Sequence, residues 1–220
     1  MKFKSNDEYI AWIKEQDWYQ TIPLSCGIKT KGKFRTDIRE SFFSKIDFRR
    51  KRVLDIGCNS GQYCFMAKRM GASEVVGLDI NKKRLEQARI INENEGLDIC
   101  FLEKDISEAS SLGKFDIVLC IAVFTEISDI IGSIQAIKSN IKDVAFIEMD
   151  IARPLIYLPS PKEMLRKKKS INIFADARKS KNRWMISPSI GLLRELFGSE
   201  FKLKDRGKSV RYRMIEVRKI

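Results

Sequence analysis

The stretch RVLDIGCNSGQ, residues 52–62, runs from a hydrophobic burst straight into a turn in which Gly57 and Gly61 bracket Cys58, Asn59 and Ser60. A glycine-rich turn between a first parallel strand and a helix lets a nucleotide-like ligand approach the backbone at the helix N-terminus. The dinucleotide fingerprint GxGxxG is absent, and so is the lysine that follows the last glycine of a phosphate-cradling loop. An acid, Asp55, stands two residues before the first glycine.

Outward from this turn, short β-branched runs alternate with helical patterns from residue 52 to 150, the signature of a parallel sheet wound by helices. Strands are expected at 52–57, 74–80, 99–105, 115–122 and 144–150, with linking helices near 61–70, 82–94 and 127–139. Leu85, Ala88 and Ile91 supply an apolar stripe on the second helix, and Lys82, Lys83 and Glu86 its polar face. Right-handed crossovers would set the C-terminal strand ends along one rim, where doubly wound sheets bind ligands.

Two short helices, in SNDEYIAWIKEQ and TDIRESFFSKI, flank the segment WYQTIPLSCGIKTKG before the sheet begins. Beyond residue 150, a basic stretch broken by Pro154, Pro159 and Pro161 leads to a helix near 188–197, opened by Ser187 and Pro188. The terminal FKLKDRGKSVRYRMIEVRKI alternates around Gly207 and is expected to form a hairpin. The organisation expected is therefore a helical cap and lead-in over 1–50, then an α/β domain over 51–220 with a basic insertion at about 151–185. The fold class is α/β: a doubly wound, Rossmann-like, mainly parallel seven-stranded sheet with a C-terminal antiparallel hairpin and an N-terminal helical cap.

A chain of 220 residues, 44% hydrophobic and 32% charged, can bury one sizeable core. No apolar run is long enough to span a bilayer, and MKFKSNDEYI lacks the apolar centre of a signal peptide, so a cytoplasmic protein is expected. Cys26, Cys58, Cys64, Cys100 and Cys120 are scattered, without a CxxC pair or any histidine, so no metal site is expected and the thiols read as reduced and mostly buried. The net charge of +13 is concentrated: residues 162–183 hold nine basic and two acidic side chains, and residues 202–219 hold eight and two. A solvated face accounts for such runs, and so does a polyanionic partner.

Asp55, Gly57, Asn59 and Gly61 together resemble motif I, D-x-G-x-G-x-G, of the class I S-adenosylmethionine-dependent methyltransferases, with asparagine at the middle glycine. Asparagine tolerates a positive φ better than most residues. The resemblance continues in order along the chain. It implies S-adenosylmethionine as cofactor, with Asp79, followed by Ile80, binding the ribose hydroxyls at the second strand end. Asp105 and Ile106 would contact the adenine, and Ile121 would flank the cofactor from the fourth strand.

WYQTIPLSCGIKTKGKF, residues 18–34, is similar to the lead-in of methyltransferases related to the tRNA wobble-uridine 5-oxyacetate methyl- and carboxymethyltransferases. That similarity implicates Trp18, Gln20 and Thr30 in acceptor binding and Tyr19 in catalysis, although a capping segment packed on the sheet would hold the same residues. The histidine this group often carries after strand four is replaced within VFTEI. With no histidine in the chain, a general base must be Asp, Glu, Tyr or Lys, and Glu126 and Tyr19 are the candidates. No [DNS]-PP-[YFW] tetrapeptide or Pro-Cys pair is present, which disfavours amino methylation of DNA bases and 5-methylcytosine chemistry.

The expected function is S-adenosylmethionine-dependent methyl transfer to RNA, tRNA in particular, contacted through Lys167, Lys168 and Lys169. The alternatives are a small metabolite or sugar as acceptor, and a non-catalytic cofactor- or RNA-binding subunit. No membrane partner is expected.

Overall fold

The computed structural model describes residues 3–33, 37–124, 126–127, 129–150, 174–180, 183–187, 190–208 and 212–220. Helices α1 (Asn6–Glu15) and α2 (Asp37–Phe43) precede the sheet. There follow β1 (Arg52–Ile56), α3 (Gln62–Arg69), β2 (Glu74–Asp79), α4 (Lys82–Glu95), β3 (Cys100–Glu103), a 3₁₀ helix (Ile106–Leu112) and β4 (Phe115–Ile121). The chain continues through α5 (Ile130–Asn140), β5 (Ile141–Asp150), β6 (Phe174–Ser180), β7 (Arg183–Ser187), α6 (Ile190–Phe197), β8 (Phe201–Lys208) and β9 (Tyr212–Lys219).

Seven strands form one sheet in the order β3-β2-β1-β4-β5-β9-β8. The first five run parallel, while β9 is antiparallel to β5 and β8 antiparallel to β9. Every residue of β4 is buried, because helices cover both faces of a parallel sheet and leave its strands no polar side. One core unites Val53, Phe65, Leu85 and Ile91 with Tyr9, Trp18 and Phe43 from the N-terminal segment. The other sets Leu54, Ile56 and Val118 against Ile134, Ile137, Leu193 and Phe197 of α5 and α6. The strand order reverses between β1 and β4, so a crevice opens beyond their C-terminal ends.

Local chemistry sets the element ends. Helix α4 starts where Asn81 accepts the Arg84 N–H at 3.1 Å and stops at Gly96, which is left-handed at φ 62°. The 3₁₀ helix, not expected from the sequence, begins with a capping box: Asp105 accepts from Ser107 N, and Glu108 accepts from Asp105 N, each at 2.9 Å.

The C-terminal strands β8 and β9 form the expected antiparallel hairpin, but Gly207 does not sit at its turn. Gly207, at φ 110°, lies inside β8 at a register shift between Asp205 and Lys208, so it forms a bulge, and the chain reverses only after Lys208. Part of the basic stretch expected to be broken forms the paired strands β6 and β7. Residues 151–173, with Lys167, Lys168 and Lys169, lie outside the described residues. All five cysteines are free; Cys58, Cys64 and Cys120 are buried, and Cys100 is exposed. Among the described residues, no helix is long and apolar enough to cross a membrane.

Gly77 of β2 packs where no side chain fits. A Cβ there would lie 2.7 Å from Cys64 Sγ, 2.9 Å from Cys58 Sγ and 3.0 Å from the Phe101 ring. Gly77→Ala is therefore expected to destabilise the fold by about 1–3 kcal/mol through overpacking. A urea midpoint equal to the wild type would contradict this packing.

Candidate cofactor site

The crevice beyond β1, β2 and β4 holds a cavity of about 370 Å³, within the usual range for small-molecule sites. Its floor is the glycine turn. Gly57 takes φ 71° and Asn59 φ 53°, and a Cβ on Gly57 would come within 2.5 Å of Val123 Cγ2. Only glycine takes that backbone conformation without driving a Cβ into Val123. Gly61 lies just outside the cavity wall and starts α3 at φ 86°; a Cβ there would meet the Phe101 ring at 2.9 Å.

Asp79 ends β2 with both oxygens facing backbone donors: Oδ2 accepts from Asn59 N and Oδ1 from Asn81 N, each at 2.8 Å. Each carboxylate oxygen retains a second lone pair, so the clamped group can still accept hydroxyl hydrogens from a ligand on the cavity wall. Beside it, Ile80 is 70% exposed at the rim. Asp105 and Ile106 close the wall at the end of β3, and hydrogen bonding from the Ser107 backbone holds the Asp105 carboxyl below its ordinary range. Ile121 closes it from β4, followed by Ala122 at a left-handed φ of 58°.

Two expected acceptor-side residues reach the wall: Tyr19, 41% exposed, and Gln20, whose Oε1 accepts the Gln62 N–H at 3.1 Å. Glu126 lines the cavity beyond β4. Trp18 and Thr30 do not. Trp18 is buried and donates its indole N–H to the Ile13 carbonyl at 2.7 Å, while the Thr30 hydroxyl accepts from Ile22 N and donates to the Gln20 carbonyl, both at 2.7 Å. Both hold the lead-in's shape, because an aromatic ring and a hydroxyl with local partners pack more favourably inside the segment than against solvent.

Asp55 also departs from its expected place. It is 1% exposed beneath the turn, where Cys64 Sγ donates to its Oδ2 at 3.3 Å, and it does not line the cavity. Burial pushes its carboxyl up to about 7; the Cys64 hydrogen bond opposes that shift and the Asp79 charge adds to it.

The structure adds Arg39, which no sequence signal marked. From α2 it forms a two-pronged ion pair with the buried Glu148 of β5, Nε to Oε2 at 2.7 Å and Nη2 to Oε1, and it lines the cavity. Tyr63 and Asp129 join the same wall. Among the described residues, no three Cys, Asp or Glu side chains converge to hold a metal ion.

A family model described as a methyltransferase domain matches residues 47–196. The chain belongs to the methyltransferase domain family. The cofactor of that family is S-adenosylmethionine, as the resemblance to class I S-adenosylmethionine-dependent methyltransferases implied. Among relatives, a tRNA U34 carboxymethyltransferase of Campylobacter jejuni is 26% identical over 153 residues, covering 67% of this chain and 52% of that protein. A ubiquinone biosynthesis O-methyltransferase of Actinobacillus pleuropneumoniae is 33% identical over 98 residues, covering 42% of each. The chain thus spans about half or less of the length of these curated relatives. Among solved structures, the N-terminal domain of EvdMO1 with SAH bound superposes at a TM-score of 0.68 with 14% identity, over 99% of this chain and 97% of that one, and so shares the fold.

The residues present fit the family's cofactor. A side-chain-free floor at Gly57, a clamped carboxylate at Asp79, an exposed apolar rim at Ile80 and a wall rich in carboxylates suit a guest that is part nucleoside and part cation.

Proposed function

We propose that the chain transfers the methyl group of S-adenosylmethionine to RNA, most directly to tRNA. When bound, that cofactor supplies a methyl group already activated on a sulfonium, so orientation of the acceptor can account for much of the rate. Asp79 would hold the ribose hydroxyls, Ile80, Ile106 and Asp105 the adenine end, and the Gly57–Asn59 backbone with Arg39 the amino-acid end. Tyr19 and Glu126 stand on the cavity wall as the groups to position the acceptor and take its proton at a phenolic or carboxylate oxygen.

The observation that carries the RNA reading is the concentration of positive charge in residues 162–183 and 202–219. The Campylobacter relative, named for tRNA, supports it. The similarity to an O-methyltransferase of ubiquinone biosynthesis favours the second reading, a small-molecule acceptor.

Salt dependence separates the two. Binding to bulk tRNA should fall steeply as salt rises, since each phosphate contact releases about 0.7–0.9 of a counterion. Changing Lys167, Lys168 and Lys169 together to glutamine should lower the slope of log K against log salt by up to about two or three, with cofactor affinity unchanged. The control is an equal change in charge at the exposed Lys14, Lys45 and Lys83. Equal losses from both triple variants, or none from either, would favour the small-molecule acceptor.

A further inference from the structure

A line of polar groups runs from Asn59 on the cavity wall through the buried Ser60 and Gln87 to the exposed Asp17, joining the glycine turn to the lead-in. Asn59 Oδ1 accepts the Ser60 N–H at 2.9 Å, and the Ser60 hydroxyl donates to Gln87 Oε1 at 2.9 Å. Gln87 Nε2 then donates to the Asp17 carbonyl at 3.2 Å. Arg84, one turn earlier on α4, donates through Nη1 to Gln87 Oε1 at 3.1 Å and to the Asp17 carbonyl, and through Nη2 to Asp17 Oδ2 at 3.3 Å. Asp17 is also paired with Lys33, whose backbone N–H donates to the Tyr19 carbonyl at 3.1 Å.

Ser60 is fully buried and Gln87 is 2% exposed. Gln87 lies on the core-facing side of α4, alongside the buried Leu85, Ala88 and Ile91, where an apolar side chain would avoid desolvating an amide. Both ends of that amide are satisfied, one toward the cofactor turn and the other toward the residues just before Tyr19. A fully satisfied buried network fixes one arrangement of the elements it joins.

We propose that Gln87, together with Arg84, is a positioning residue that couples the cofactor turn at Asn59 to the segment carrying Tyr19 and Gln20, so that cofactor binding orders the acceptor-side wall. The inference rests on the reading that the cavity takes S-adenosylmethionine. Gln20, bonded to Gln62 N, is a second and separate tie between the same parts, so loss of the relay weakens the coupling without abolishing it.

Hydrogen exchange with S-adenosylhomocysteine as the probe tests this. In the wild type the probe should slow amide exchange both in residues 57–62 and in residues 19–33. In Gln87→Leu the protection of 57–62 should persist, while the protection of 19–33 gained on binding should fall about five- to tenfold, the equivalent of one lost hydrogen bond of about 1–1.5 kcal/mol. Arg84→Met, which cuts the relay at a less buried point, should act in the same direction, and Lys83→Met on the exposed side of α4 should not. Thermal unfolding identifies the folded variants, and Arg84→Met carries the test if Gln87→Leu does not fold. Wild-type protection of 19–33 in a folded relay variant would overturn the coupling alone. A wild type that fails to bind the probe would overturn the cofactor reading, and the coupling with it.

Discussion

Asp79→Ala is expected to weaken S-adenosylhomocysteine binding by about 2–4 kcal/mol, some 30- to 700-fold, because it deletes the ionic acceptors proposed for two ligand hydroxyls. The same change strips the Asn59 and Asn81 amides of their carboxylate partner, so the turn loses its clamp together with the ligand contact. Asp79→Asn retains one acceptor oxygen and should fall between the two. Calorimetry at fixed pH measures both losses, and an unaltered dissociation constant for Asp79→Ala would remove the ribose from this strand end.

The second large effect concerns stability. Burial raises the Asp55 carboxyl to about 7 in the folded chain, against about 3.9 for an ordinary aspartate, so the folded state keeps a proton that the unfolded state has released. Its contribution to stability is fully present below about pH 4, declines as pH rises toward 7, and is level above that. Asp55→Asn keeps the shape and an acceptor for Cys64 without an ionisable group. It should be more stable than the wild type at pH 8, by at most about 4 kcal/mol, and the gap should narrow at pH 5. Urea midpoints at the two pH values measure this. A variant less stable than the wild type at pH 8 would show that the turn needs the ionised carboxylate.

The parallel core of the fold was legible because buried strands read as β-branched runs and helices as stripes. Their boundaries were less so. Strand β5 begins at Ile141, three residues earlier than expected, because α5 ends at Asn140 and Ile141 pairs at once with Phe115. The Asp105 and Glu108 spacing of a capping box stood in the sequence, but the helix it opens is too short to show an apolar period. Gly207 misled because bulges and tight turns both recruit glycine.

At the site, Asp79, Asp105 and the positive-φ turn line the cavity where the sequence placed them, because their contacts are local: Asp79 bonds the backbone two residues on and in the turn that follows the neighbouring strand. Arg39 was not, since its partner Glu148 lies 109 residues away and nothing in either neighbourhood announces the pairing. The lead-in shows the opposite failure. Its pattern marked Trp18 and Thr30 together with Tyr19 and Gln20, yet a family pattern does not separate residues that shape a segment from those that the segment presents.

The account stands or falls on methyl transfer to RNA. Purified protein incubated with S-adenosylmethionine tritiated at the transferred methyl group, bulk tRNA and a small-metabolite extract should place label in the tRNA fraction, and Tyr19→Phe or Glu126→Gln should slow that labelling. Label confined to the small-molecule fraction, or none in either fraction from a protein that binds the cofactor, would contradict it.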